Sequence, residues 1–189
     1  MTVKPHPARE NQAEVEATIT RLLELLGYFV DTPGLNDTPR RVAAWWAEFL
    51  DYDPGKIGTT FEQSSSPEFV IVSGLRTWSL CEHHLLPFWC DVAIGYKPAG
   101  RVLGLSKFGR VAVKHARRLQ LQERLVTGIG QEIMELTGSS RVAVLGIGEH
   151  LCMTMRGIEK AHRMATLFKS KEVDGTGGLV QQLQATIKG

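Results

Sequence analysis

The sequence predicts an α+β fold, a mostly antiparallel sheet with helices on one face, preceded by a helical N-terminal segment. Three observations predict it. Apolar residues recur at helical spacing before residue 51. Short β-type runs dominate residues 69–105. Two helical segments then separate those runs from further strand-like sequence beyond residue 140.

Val15, Ile19, Leu22, Leu23 and Leu26 repeat at spacings of three and four, and Gly27 stands where a helix stop is expected. Asp37-Thr38-Pro39 reads as a cap followed by proline in the first turn. The helix it opens carries Val42, Trp45, Trp46, Phe49 and Leu50. Residues 51–67 are rich in Gly, Pro, Ser and Thr and read as a linker. The chain is therefore divided into a helical segment, 1–60, and a sheet-bearing domain, 61–189. Strands are expected at Phe69–Ser73, Trp89–Tyr96 and Arg101–Leu105, the last two joined by the turn Lys97-Pro98-Ala99-Gly100. Helices are expected near 106–119 and 121–137, and one or two strands over Arg141–Arg156. A strand within 159–171, a loop over Gly175–Gly178 and a short helix over Leu179–Ile187 complete the chain.

Composition narrows the function classes. Across 189 residues, 22 Lys+Arg balance 20 Asp+Glu for a net charge of +2, which excludes a protein that binds by bulk positive charge. Hydrophobic residues make up 43% and charged residues 22%, too apolar for a disordered chain. Three widely spaced cysteines, Cys81, Cys90 and Cys152, do not form a disulfide framework and fit a reducing, cytoplasmic setting. Met1–Gln12 lacks the apolar core of a signal peptide, and no run is long enough to span a membrane.

Three features carry chemistry. In Cys81-Glu82-His83-His84, a Cys and a His three positions apart can reach one metal ion, although packing is the commoner outcome of that spacing alone. If residues 141–156 form a strand, Ala143, Leu145, Ile147, Leu151, Met153 and Met155 make an apolar face, and His150, Cys152, Thr154 and Arg156 line the other. Joining the two motifs gives Cys81, His84 and Cys152. Three protein ligands with an open position describe a catalytic zinc, while a structural site recruiting Cys90, His83 or His150 as a fourth ligand stays open.

The third feature is a basic helix starting at Ser106, a good N-cap. Lys107, Arg110, Lys114, Arg117 and Arg118 share one face, opposite Phe108, Val111, Ala112, Ala116 and Leu119. Six Lys/Arg and one acid, Glu123, lie between Lys107 and Arg124. By itself this is a solvated amphipathic face that can also hold an anion. Without interleaved aromatics it does not read as a nucleic-acid surface. Gln122-Glu123-Arg124 opens the next helix. A carboxylate there can accept from a ring N–H and its neighbouring amino group, as on the edge of guanine, or can simply favour the helix N-terminus.

Four segments together resemble the type I GTP cyclohydrolases: Cys81 to Phe88, Gly104 to Arg110, Arg118 to Arg124 and His150 to Gly157. The helix start Asp37-Thr38-Pro39-Arg40-Arg41 matches as well, and the likeness runs from about residue 10 to 160. The resemblance implies a tunnelling-fold (T-fold) catalytic domain in a homodecamer with active sites at subunit interfaces. It implies conversion of GTP to 7,8-dihydroneopterin triphosphate with release of formate. By position, Cys81, His84 and Cys152 would hold zinc, His150 would move the protons, and His83 would assist. Glu123 and Gln122 would read guanine. Ser106, Lys107, Arg110 and Arg156, with Arg41, would hold ribose and triphosphate. No nucleic-acid or membrane partner is implied. Two other readings stay open here: a tunnelling-fold purine or pterin enzyme of different reaction, and a structural-zinc module. The chain departs from the family over Ala161–Ser170, where a run rich in Ser and Thr is usual and here hydroxyls are few.

Overall fold

The computed structural model describes residues 5–62, 68–173 and 178–187. The chain forms two compact units, Met1–Asp53 and Pro54–Gly189.

The N-terminal unit holds α1 (Pro7–Glu10), α2 (Gln12–Leu25) and α3 (Thr38–Leu50). Pro39 sits in the first turn of α3. Asp37, expected as a side-chain cap, makes no capping bond and instead pairs with Arg41 at 3.1 Å and Arg40 at 3.5 Å. Asp51 ties the α1 end down by accepting from the His6 amide at 2.8 Å and pairing with Arg9.

The second unit runs β1 (Thr60–Glu62), β2 (Val70–Cys81), β3 (Pro87–Tyr96), β4 (Arg101–Leu103), α4 (Leu105–Ala116), β5 (Leu119–Gln120), α5 (Gln122–Thr137), β6 (Val142–His150), α6 (Leu151–Thr154), β7 (Met164–Lys169) and α7 (Gly178–Ile187). Strands β1 and β4 pair antiparallel. The main sheet has the order β5-β2-β3-β6-β7 and is antiparallel except where β5 meets β2. This is the α+β class with an antiparallel-rich sheet that the sequence predicts.

Alternation along the strands sorts the two faces. Phe88, Cys90, Val92, Ile94 and Tyr96 of β3 point under α4 and α5, where they meet Phe108, Val111, Leu125 and Ile129 in one core. Ala93, Ala143 and Leu145 point the other way, against Leu179 and Leu183 of α7. So α4 and α5 share one face, as expected, and α7 also covers part of the opposite face. Gly130 lets α5 lie directly on β7, because a Cβ there would enter the Phe168 ring.

Several boundaries differ from the expectations. The segment taken as a linker contains β1, and residues 63–67 lie outside the described residues. Strand β2 runs on to Cys81, far past Ser73, because its later residues pair with β3 from Leu75↔Val92 to Leu80↔Pro87. Ser106 is not the N-cap of α4: Gly104 is, and Ser106 lies within the first turn. That helix ends at Ala116, where Leu119–Gln120 leaves to pair with the end of β2. The loop expected over Gly175–Gly178 falls outside the described residues except for Gly178, which opens α7.

Helices α4 and α5 meet around Glu132, whose carboxylate takes Lys114 Nζ at 2.6 Å and His115 Nε2 at 2.6 Å. Burial holds the His115 imidazole below its ordinary value, outweighing the hydrogen bond and charge of Glu132, which push it up. The sign follows directly. The unfolded chain binds a proton near the ordinary value of about 6.5 and the folded chain does not, so this contribution to stability is full above that pH. It is lost as the pH falls through it toward the folded value, at no more than about 1.4 kcal/mol per pH unit. The melting temperature is expected to drop between neutral pH and mild acid, with a shallower slope in His115→Gln.

Candidate active site at one end of the sheet

The strand register collects the chemistry at one edge. Leu80↔Pro87 closes the β2–β3 ladder, Phe88↔His150 ends the β3–β6 ladder, and Cys81↔Gln120 joins β5. Cys81, Phe88, Gln120 and His150 therefore stand side by side at the same end.

The turn after β2 returns His84 to Cys81. The amide of Cys81 donates to Leu86 O at 2.8 Å, and that of Leu85 to Cys81 O at 2.8 Å. Leu85 accepts a left-handed backbone, φ 56°, to close the loop. His84 Nδ1 then lies 3.6 Å from Cys81 Sγ. On the far side, β6 stops at His150 and the chain turns into α6, closed by the Met155 amide on Leu151 O at 3.0 Å. Cys152 sits in that turn, its Sγ 3.9 Å from that of Cys81.

This corrects the strand expected through Arg156. His150 and Cys152 do not share a strand face, since β6 ends at His150 and a helical turn places Cys152. A continuous strand would carry Cys152 beyond the end of the sheet; the turn folds it back to Cys81.

The ligand atoms of Cys81, His84 and Cys152 lie within 4.8 Å of one another, the one such group among the described residues. The donors suit zinc: two thiols and an imidazole, all free of other covalent partners. Burial, reinforced by the neighbouring Cys81 thiol, raises Cys152 above the usual thiol range. Cys90, one candidate for a fourth ligand, is fully buried on β3, and burial beside Asp91 pushes its thiol up to about 12, as expected for a packing residue.

Beside this group stands His150. Its ring stacks on Phe88 with centroids 4.4 Å apart and planes 7° apart. Its Nε2 meets Gln122 Oε1 at 3.2 Å. Gln122, wholly buried at the start of α5, spends its amide nitrogen on Met164 O at 3.0 Å and Thr166 Oγ1 at 3.1 Å. Its oxygen must therefore accept, so His150 carries hydrogen on Nε2 and leaves Nδ1 basic. Burial lowers the His150 pKa, His162 lowers it further, and Glu123 pulls the other way. The imidazole is thus neutral at physiological pH.

Glu123 is exposed on the first turn of α5, next to Gln122. Its neighbour Arg124 grips Glu82 of the β2–β3 turn with two bonds, 2.7 and 3.2 Å, which holds the Glu82 carboxyl below its usual value. His83 is exposed at the same loop, 6.1 Å from the His84 ring. The remaining predicted residues are not drawn into this hydrogen-bonded group. Ser106, Lys107 and Arg110 ride the first turns of α4, where Arg110 donates to Pro54 O at 2.5 Å. Arg156 is exposed in the loop after α6, and Arg41 belongs to the N-terminal unit, paired with Asp37.

Sequence reasoning missed the support behind Gln122. Gly148 is part of it: a Cβ there would lie against Trp89 O and Gln122 Oε1. Gly148→Ala is expected to cost about 1–3 kcal/mol by overpacking. It should also lower turnover by displacing the amide that holds His150, checked by thermal melting and a rate assay on the same samples.

Comparison with known proteins shows the family. The GTP cyclohydrolase I family model matches residues 15–176. The chain is 44% identical over 149 residues to GTP cyclohydrolase 1 of Hyperthermus butylicus, covering 78% of this chain and 76% of that protein. It is 36% identical over 199 residues to that of Deinococcus radiodurans, covering 100% and 91%. It is 45% identical over 152 residues to that of Alkalilimnicola ehrlichii, covering 77% and 81%.

Proposed function

Since this chain belongs to the GTP cyclohydrolase I family, we propose that it is a zinc-dependent enzyme opening the imidazole ring of GTP and rebuilding it as 7,8-dihydroneopterin triphosphate. The observation that carries the zinc-dependent reading is the Cys81–His84–Cys152 group, with His150 oriented by Gln122 at the start of the turn that bears Cys152. Cys81, His84 and Cys152 would hold the metal, whose Lewis acidity brings water toward ionisation near neutral pH.

The protein's own groups then act on the purine. Glu123 accepts from N1–H and the exocyclic amine of guanine, fixing the base. Gln122 keeps its side chain on His150 and is assigned, with Glu123, to the recognition of guanine. His150 takes up at Nδ1 a proton from the water that adds at carbon 8 and hands it to N7 as the ring opens, so the proton is carried from nucleophile to leaving nitrogen. Phe88 keeps one face of the His150 ring dry. Water adds at carbon 8 and the ring opens; a second water releases formate; closing the pyrazine ring expels one water, so one is consumed overall. His83 assists near the imidazole. Ser106, Lys107, Arg110 and Arg156, joined by Arg41, take the ribose and triphosphate, which several cations suit. We place the reaction in a cytoplasmic homodecamer. No helix among the described residues is long and apolar enough to cross a membrane.

The test is incubation of zinc-loaded protein with GTP, followed by oxidation and parallel assay of pterin fluorescence and formate. Equal amounts of both are expected. Formate without pterin would replace this reading with a ring-opening reaction only, and neither product would end it.

A further inference from the structure

The segment that departs from the family pattern places an unassigned histidine against His150. Strands β6 and β7 pair in register from Ala143↔Lys169 to Gly148↔Met164. Extending that register two residues puts position 162 opposite His150, beyond the last paired rung. The rung is filled by a side chain: the His150 amide donates to His162 Nε2 at 3.4 Å. The other ring nitrogen, Nδ1, faces Lys160 O at 3.4 Å. With Nδ1 donating to that carbonyl, Nε2 is left as the acceptor that the His150 amide requires. The two imidazoles lie 6.1 Å apart at 31°.

His162 is half-buried, and the two residues that follow it are anchored. The Arg163 guanidinium sits 5.2 Å over the Trp89 ring, and Met164 O accepts from Gln122. His150 is thus gripped at two points. Gln122 orients its ring, and His162 holds its peptide where β6 breaks into the turn that bears Cys152.

We propose that His162 is a positioning residue for His150, its imidazole standing in for the main-chain acceptor of the missing rung. This rests on the functional reading above only for the kinetic consequence. His162 touches the backbone of His150, so its role is in aiming that residue.

The experiment compares full-length, zinc-loaded wild type with His162→Ala and His162→Gln, the latter keeping an acceptor. Residue-resolved hydrogen exchange by mass spectrometry should show the His150 amide exchanging about 3- to 10-fold faster in the Ala variant, the effect of one half-buried hydrogen bond. Exchange in the Gln variant should be close to wild type. With GTP, kcat should fall by a similar factor in the Ala variant at unchanged KM and zinc content, and recover in the Gln variant. Unchanged exchange in His162→Ala would overturn the inference. So would equal kcat loss in both variants, or a kcat loss accompanied by lower zinc content and melting temperature. If wild type makes no pterin, the functional reading fails, while the exchange comparison still decides the role of His162.

Discussion

Cys152→Ser should purify with little zinc and turn over GTP at background rate, while keeping its fold. Two thiolates and one imidazole supply the protein's whole share of the proposed ligand set, since Cys90 is buried elsewhere on β3. If a tetrahedral protein site is worth about 10–16 kcal/mol, one ligand accounts for about 3 kcal/mol, or roughly a hundredfold in affinity. A serine oxygen is a poor substitute for a thiolate. The fold should survive because the core under α4 and α5 is built from residues of β3, β6 and both helices. Metal analysis, thermal melting and the pterin assay on one preparation check all three points. Restoration by excess zinc would show that the loss is one of affinity. Wild-type activity in zinc-depleted Cys152→Ser would remove zinc from the reaction.

His150→Asn is expected to leave zinc content untouched and lower kcat by about 10²–10⁴-fold, the usual contribution of a positioned proton-transfer group. Its Nε2 is committed to Gln122 Oε1 at 3.2 Å and its ring to Phe88, so the metal group loses nothing when the imidazole goes. Asn approximates the polar volume near Gln122 but has no basic nitrogen. Zinc stoichiometry by metal analysis and single-turnover kinetics separate the two effects. Parallel loss of zinc and rate would make His150 a ligand instead, and an unchanged rate would remove it from the proton path.

How much could be read from residues alone depended on how local each signal was. The α2 stripe from Val15 to Leu26 and the proline-led start of α3 follow from neighbour spacing, and both helices form. The pairing of Cys81 with His84 is likewise local, made by a tight turn of five residues, 82–86. The link to Cys152 is not local: it lies 71 residues from Cys81 along the chain. Strand alternation does not relate His150 to Cys152; the break into α6 does, and it depends on where the β3–β6 ladder ends. Ser106 looked like a cap because its side chain suits one, yet Gly104 occupies that position as the chain leaves β4. His162 gave only an indirect signal: it lies in the hydroxyl-poor stretch where the family pattern is lost.

The sequence by itself determined the class of fold, the division of polar and apolar faces on α4, the inventory of candidate metal donors and the family. These depend on residue identity and on spacings of a few positions, which propensity and periodicity encode directly. Only the tertiary structure decided that β2 runs to Cys81, that His150 takes its hydrogen on Nε2, that Gln122 is spent on orienting it, and that His162 fills the missing rung. Each depends on strand register, which brings residues tens of positions apart within hydrogen-bonding distance. Register is set by the summed packing of both sheet faces, so no single segment of the chain contains it.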